Sequence, residues 1–591
     1  MIGTYVAALA VCGASLAIGQ AAVAICGRRE WSWLSPAVGL ALLCAVCWAT
    51  VRMPGDGVIS AVAVVVLVAA SVAFLWGRVE GEREAWRAGL PVALIAFAAA
   101  SLPFFVEGHF GILGTSFNPD MSQHLLATDR LADGAGSQLL SQGYPLGPHA
   151  VVVALEKGLG VGLVQGFSGL TVAVAVLASL TALAAFAELP PLRRTVGALL
   201  VGIPYLVASY FAQGAFKETM QALFVLAFVL ALRESGKRGW VGEPLRLVPA
   251  ALIAVGSVYA YSFPGLIWLT GVFVIWLVLE RSVPVRPALL ALVVFGVATL
   301  PELGRMIDFQ SFETFDPNGP GLGNLFGQIS PFEALGIWPS GDFRLAPGDG
   351  AVPALVFYLG VALAAALLIW GLVQCWRRRE TAIVAGLTAV VATYAAARIG
   401  GTPYTAAKAI EVAAPLATLV ILLPLLGEGR EWRLIRPIGE QVANPSAAAL
   451  VGMVFALATG VCSLLALVNA PVGPTSYLPT LTELRPLVTS GSTLVLASHE
   501  LLNEQHGTPY IAWELRGGRV CIESDDAAGG AAPRGVRFVI AEGSPSAAPF
   551  KGLRVRRVNS PYVLWERIGP VQGRSDCPLI AIRQARQGPA R

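Results

Sequence analysis

Apolar runs of roughly 17 to 24 residues recur along most of this 591-residue chain, each long enough to cross the ~30 Å hydrocarbon core of a bilayer as a helix. Lipid offers no partner to an exposed backbone amide, so such runs restrict the fold to a bundle of spanning helices. The runs lie near 3–26, 32–51, 58–77, 90–106, 167–188, 196–213, 217–232, 247–262, 264–280, 287–300, 353–374, 381–398, 409–427 and 448–470, about fourteen in all. No fixed-period repeat is evident. The opening MIGTYV lacks a basic n-region and a cleavage site, so the first run reads as a retained helix. With 55% apolar and 13% charged residues, a string of water-soluble domains is excluded.

The sparse charge sets the expected sidedness. Before position 471 there are 27 cationic and 27 acidic residues, so the net charge of +4 falls in the remaining tail. Nineteen of those 27 cations, among them Arg28, Arg29, Arg78, Arg193, Arg233, Arg281 and Arg377, fall in alternate loops. By the positive-inside rule these loops face the cytoplasm. Both termini, the long hydrophilic loops 107–149 and 301–352 and the tail then face outward from the plasma (inner) membrane. A mild charge without a dense basic face argues against nucleic acid as a partner.

Polar chemistry collects on that outer side. None of the five histidines lies in an apolar run: His109, His124 and His149 belong to the first outer loop, His499 and His506 to the tail. Asp120 and His124 are four apart in NPDMSQHLLATDRLA, whose apolar spacing is helical, so both fit one helix end and one cleft. Asp at such a position also suits a plain N-cap. The following HAVVVALEKGLG reads as an amphipathic helix on the membrane surface. Two of only five lysines, Lys217 and Lys408, sit at outer helix mouths, each followed by an acid, Glu218 and Glu411. One reading is interfacial snorkelling with a local ion pair. The sharper one makes Lys217, Lys408 and Arg398 a cationic collar for a lipid-borne phosphate. Loop 301–352 interleaves aromatics with seven acids, a composition suited to sugar faces and hydroxyls.

Residues 471–591 alternate strand-like runs (STLVLAS, RVCIES, RFVIAE, RVRRV, PYVLWERI) with a short helix near HELLNEQ, which predicts a small α+β domain. Cys521 and Cys577 lie in it on the oxidising side and are expected to bond. Cys44 and Cys47 read as apolar packing. His499, Glu504 and His506 match no standard metal spacing.

An outer loop with an Asp near its start (NPDMSQH), an amphipathic helix and a YPLGPH segment before the next spans resembles the GT-C fold glycosyltransferases, multi-pass enzymes that use polyprenyl-phosphate sugars. The resemblance runs over residues 90–430. QGAFKE, SPFEALGIWPSGDFR and PYTAAKAIEVAAPL look like segments of actinobacterial membrane proteins of this architecture. It implies an all-α polytopic membrane protein with a small extracytoplasmic α+β C-terminal domain: additional helices over 1–89, a GT-C-like core over 90–470 and a soluble domain over 471–591. It implies a transferase moving sugar from a polyprenyl-phosphate donor to a cell-envelope glycan, lipid or protein. Asp120 would be the general base, aided by His124. Tyr144 and His149 would line the cleft, and Lys217, Glu218, Arg398, Tyr404 and Lys408 would hold the donor. No cofactor is required, with a divalent cation left open, because the loop has no paired DE or DD for a metal-bound pyrophosphate; a monophosphate donor is expected. Three spans precede the one entering the first loop, more than in the simplest members. The competing readings are a flippase for a lipid-linked glycan, and a non-catalytic membrane scaffold with a glycan-binding tail.

Overall fold

Where an apolar run is uninterrupted by charge or proline it forms one helix. The computed structural model describes residues 2–114, 120–236, 243–280, 285–312, 322, 325, 328–342, 345–427, 445–503, 507–571 and 573. They form two compact units, one of Met1–Asn118, Leu131–Gly134 and Leu140–Val472, the other of Pro119–Arg130, Ala135–Leu139 and Gly473–Arg591. In chain order the helices up to the first long loop are α1 (Ile2–Ile25), α2 (Ser35–Thr50), α3 (Asp56–Leu75), α4 (Glu82–Ala100) and α5 (Leu102–Val106). The loop itself holds α6 (Met121–Ala132) and α7 (Gln138–Ser141). Then follow α8 (Gly147–Leu159), α9 (Leu163–Phe186), α10 (Pro191–Gly202), α11 (Tyr205–Ala212), α12 (Phe216–Ser235), α13 (Val248–Glu280), α14 (Val285–Thr299) and α15 (Leu303–Asp308). The helical unit closes with α16 (Ala354–Arg377), α17 (Thr381–Gly400), α18 (Pro403–Leu426) and α19 (Pro445–Val468).

Among the described residues nine helices are long and apolar enough to cross a membrane, or ten if the bent pair α10 and α11 is one span. This is the helix content of a multi-pass membrane protein. The difference from about fourteen has local causes. The runs 247–262 and 264–280 are one helix, α13, broken where Ser262 takes φ 61° and Pro264 removes an amide donor. The bend of 52° between α10 and α11 falls at Pro204. Helix α2 has only 16 residues, and α4 begins with Glu82, Arg83 and Glu84. Burial separates inner from peripheral helices: the apolar windows of α9 and α18 are 94% and 89% buried, that of α3 only 17%. Helix α12 is likewise buried along nearly its whole length.

Cross-links between loops sort into two sets. Arg28 pairs with Glu234, Arg233 with Glu380 at 2.7 Å, and Thr381 donates to Glu280 at 2.6 Å; all of these lie in or beside cation-rich loops. Arg52 pairs with Glu302 at 3.3 Å, and Gly114 N–H donates to Pro471 O at 2.7 Å, joining only the opposite loops. Helix α8, read as amphipathic, is covered by neighbouring helices. Gly147 to Leu155 are all buried, and the helix packs against α2, α3 and α9. HAVVVAL is apolar on every side, so one stripe facing lipid cannot satisfy it.

The second unit carries α20 (Pro479–Val488), β1 (Ser492–Ala497), α21 (His499–Asn503), α22 (Gly507–Glu514), β2 (Arg519–Ser524), β3 (Phe538–Glu542), β4 (Leu553–Asn559) and β5 (Tyr562–Arg567). All five strand-like runs are strands, in the order β2-β1-β3-β5-β4. Strand β1 is parallel to β2 and β3, and β5 is antiparallel to β3 and β4. Period-two alternation divides the core. Val495, Phe538, Ile540 and Leu564 join Leu484, Ile511 and Leu515 of the helices on one face. Leu494, Leu496, Val539, Val563, Trp565 and Phe550 fill the other. Cys521 is disulfide-bonded; Cys577 lies outside the described residues.

Candidate functional site

The polar residues of the helical unit gather at the start of α12. The chain enters this helix through Gly214, at φ 69°, where a Cβ would lie 2.5 Å from Leu113 O; only glycine fits so close a crossing. The turn puts Lys217 and Glu218 in the first turn of α12. Glu218 Oε1 lies 3.0 Å from Lys408 Nζ of α18, and Tyr261 Oη donates to it at 3.4 Å. Tyr261 immediately precedes the break at Ser262, so the kink in α13 coincides with a residue reaching this carboxylate. Lys408 Nζ also lies 4.2 Å from the centre of the Tyr404 ring. Lys217 Nζ sits 4.0 Å from the centre of the Tyr144 ring. Such contacts are attractive because the ring face is electron-rich.

Aromatic contacts extend the cluster. The Tyr144 ring is 6.2 Å from His149, 5.5 Å from Phe309 and 5.3 Å from Phe312. His149 lies between Phe167 and Phe216, at 5.5 and 5.6 Å. Burial pushes its imidazole down to about 3, so it is neutral at physiological pH. Arg305 donates to Tyr144 O at 2.6 Å and Leu140 O at 3.0 Å. It is itself held 3.2 Å from Glu302, which accepts from Trp48 Nε1 at 2.6 Å.

Six of the expected site residues therefore fall in two contact groups, His149–Tyr144–Lys217 and Glu218–Lys408–Tyr404, joined where Lys217 and Glu218 are neighbours in α12. The pairing differs from the local scheme: Lys408 takes Glu218 of another helix rather than Glu411. Glu411 is fully buried, and neither of its carboxyl oxygens has a hydrogen-bond partner among the described residues, a costly arrangement in an apolar interior. Arg398 is exposed and donates to Gln328 Oε1 at 2.5 Å, in the second long loop. Tyr261 and Arg305 were not singled out by the sequence; the YSFP break was the available signal for the first.

Asp120 and His124 belong to the second unit. Asp120 directly precedes α6, and its carbonyl accepts from the amides of Gln123 and His124 at 3.0 and 3.2 Å, as an N-cap residue's does. His124 is buried. Burial pushes the Tyr477 phenol up, as do neighbouring Tyr510, Asp120 and Glu514. Tyr477 and Tyr510 stack at 4.4 Å. Buried Glu514 accepts from Tyr477 N at 2.8 Å and pairs with Arg485 at 3.3 Å. Arg516 reaches Asp129 of α6 at 3.6 Å.

Among the described residues one group brings three metal-type ligand atoms within 4.8 Å: His499, Asp525 and Asp526, all exposed. Glu504 and His506 lie outside the described residues. His499 Nε2 is 2.5 Å from Asp526 Oδ2. The hydrogen bond to Asp526 and its charge raise the imidazole above its usual 6.5, and His499 lowers the Asp526 carboxyl below 3.8. The pair's stabilisation is thus complete from about pH 4 to 6.5. It is lost as pH rises through the raised His499 value, or falls through the lowered Asp526 value. In an NMR titration His499 is expected to titrate above 6.5 and to return towards it in Asp526→Asn; an unchanged midpoint would contradict the pairing.

No protein-family profile matches the chain, and neither does any curated protein. Among solved structures, the chain is similar to the arabinofuranosyltransferase AftD from Mycobacteria, at 15% identity and a TM-score of 0.45 over 81% of this chain. It spans 40% of the length of that protein. It is also similar to ArnT from Cupriavidus metallidurans bound to undecaprenyl phosphate, at 13% identity and a TM-score of 0.47, covering 82% of this chain and 98% of that one. The archaeal oligosaccharyltransferase AglB from Archaeoglobus fulgidus, in complex with an inhibitory peptide and a dolichol-phosphate, matches at 11% identity and a TM-score of 0.25, over 85% of this chain and 65% of that one.

Proposed function

We propose that this chain is a GT-C-type membrane glycosyltransferase, moving a sugar from a polyprenyl-phosphate donor to a cell-envelope glycan, lipid or protein on the outer face. The observation that supports it is the convergence at Glu218. Lys408 pairs with Glu218 at 3.0 Å, and the adjacent Lys217, in the same first turn of α12, lies over the Tyr144 ring. Helix N-termini favour anions. Tyr144, Tyr261 and Tyr404 supply apolar rings with hydroxyls around it, an environment for a phosphate that enters from lipid with an apolar chain attached.

In this reading Lys217 and Lys408 bind the donor phosphate and stabilise its charge as it leaves. Asp120 takes the proton from an acceptor hydroxyl as the acceptor oxygen bonds to the anomeric carbon. The bond from that carbon to the phosphate oxygen breaks, releasing polyprenyl phosphate. One base suffices for such a displacement, without the two carboxylates of a hydrolase. His124 supports Asp120, and neutral His149 holds the Tyr144 side of the donor pocket.

The test is transfer of radiolabel from a polyprenyl-phosphate sugar by protein in lipid vesicles. Lys217→Met is expected to raise the donor KM about 10- to 100-fold, the worth of a charge-assisted bond of about 1.5–3 kcal/mol. Tyr144→Phe, which keeps the ring beneath Lys217, is expected to leave KM within about 2-fold. An unchanged KM in Lys217→Met removes the donor assignment. Flipping of a lipid-linked sugar without transfer would favour the flippase reading.

A further inference from the structure

Strands β1, β2 and β3 are parallel, with β1 between the other two. After β1 the chain passes to the face where Ile511 and Leu515 pack with Val495. After β3 it passes to the opposite face, where Phe550 packs with Leu494 and Leu496. Successive connections to opposite faces leave a crevice between the carboxyl ends of the two strands, where parallel sheets characteristically hold ligands. A cavity of about 190 Å³ occupies this place, lined by Ser498 beyond β1, Asp525 beyond β2, Glu542 and Ser544 at the end of β3, and Val563 and Trp565 of β5.

The lining decides the chemistry. It contains no Lys, Arg or His, and its two ionisable groups are the carboxylates of Asp525 and Glu542; His499 beside Asp525 is engaged by Asp526, so phosphates and uronates are disfavoured. Two carboxylates and two serine hydroxyls offer many acceptors to a ligand rich in hydroxyl donors. Val563 and Trp565, both packed in the core, close the cleft with an apolar floor. The volume is several times the ~30 Å³ share of one water and below the ~300–1,000 Å³ of sites for larger ligands; it suits a single sugar ring.

We propose that this cleft binds the terminal residue of a neutral saccharide. Binding belongs to the second unit alone and stands whether or not the helical unit transfers sugar. The test uses the full-length protein in nanodiscs on an array of glycans with neutral, amino and anionic termini, with empty nanodiscs as control. Calorimetry then follows on the best neutral glycan. Retention of neutral termini over anionic ones is expected. Asp525 and Glu542 are exposed, so Asp525→Asn with Glu542→Gln is expected to keep the melting temperature and weaken binding at least about 10-fold, the loss of two charge-assisted bonds. Ala528, also exposed and on the lining, offers a second variant: Ala528→Trp obstructs the cleft without touching the carboxylates and is expected to abolish binding. No neutral glycan retained, a preference for anionic termini, or wild-type affinity in both variants would overturn the proposal.

Discussion

Asp120→Asn is expected to slow sugar transfer by about 10²- to 10⁴-fold, the usual contribution of a positioned general base. The substitution separates chemistry from structure, because Asn caps helices about as well as Asp. The start of α6, where the Asp120 carbonyl accepts from Gln123 and His124, is therefore retained, and melting should be unchanged. Asp120→Ala is the contrasting variant: it should lose activity and in addition about 1 kcal/mol of stability. If Asn transfers radiolabel as fast as the wild type, Asp120 only caps its helix and the base lies elsewhere.

The second large effect concerns the Lys408 and Glu218 pair, at 3.0 Å with side chains 17% and 7% exposed. Removing one partner strands the other charge, so Lys408→Met is expected to destabilise the protein by about 3–5 kcal/mol. Glu218→Leu alone should cost a similar amount. The double variant should recover most of the loss, since a well-packed apolar pair replaces a buried ion pair at little cost. Thermal unfolding in detergent measures all three. Transfer should remain abolished in the double variant, which restores packing but not the cation. A loss below about 1 kcal/mol in Lys408→Met would mean the pair behaves as an exposed one.

Particular residues show how far the sequence could be read. All five tail strands were legible as short strand-like runs rich in β-branched and aromatic residues, and the two-residue period of a strand then divides Val495 from Leu494 and Leu496 between two cores. Helix α6 was legible from its 3.6-residue spacing. The single helix α13 was not, because Pro264 looks like a terminator when only neighbours are read, whereas the structure carries the helix past it by a break at Ser262. How far α8 is covered by its neighbours was not legible, because amphipathicity does not say how much of a helix is buried. The partner of Lys408 was missed for a similar reason: spacing points to Glu411, while contact is made with Glu218 on a distant helix. Arg398, grouped with the lysines by its place at a helix mouth, instead meets Gln328.

Apolar run length, cation bias and strand-forming composition are local properties, each enforced within a few residues by backbone hydrogen bonding and burial. They determined that the chain is a bundle of membrane helices followed by a small mixed sheet, and on which loops the polar residues lie. Tertiary structure alone decided that α12 and α18 are interior helices, that two lysines share one carboxylate's surroundings, and that a cleft opens between β1 and β3. Those outcomes depend on which distant segments pack together, a matter of shape and desolvation that no run of neighbouring residues encodes.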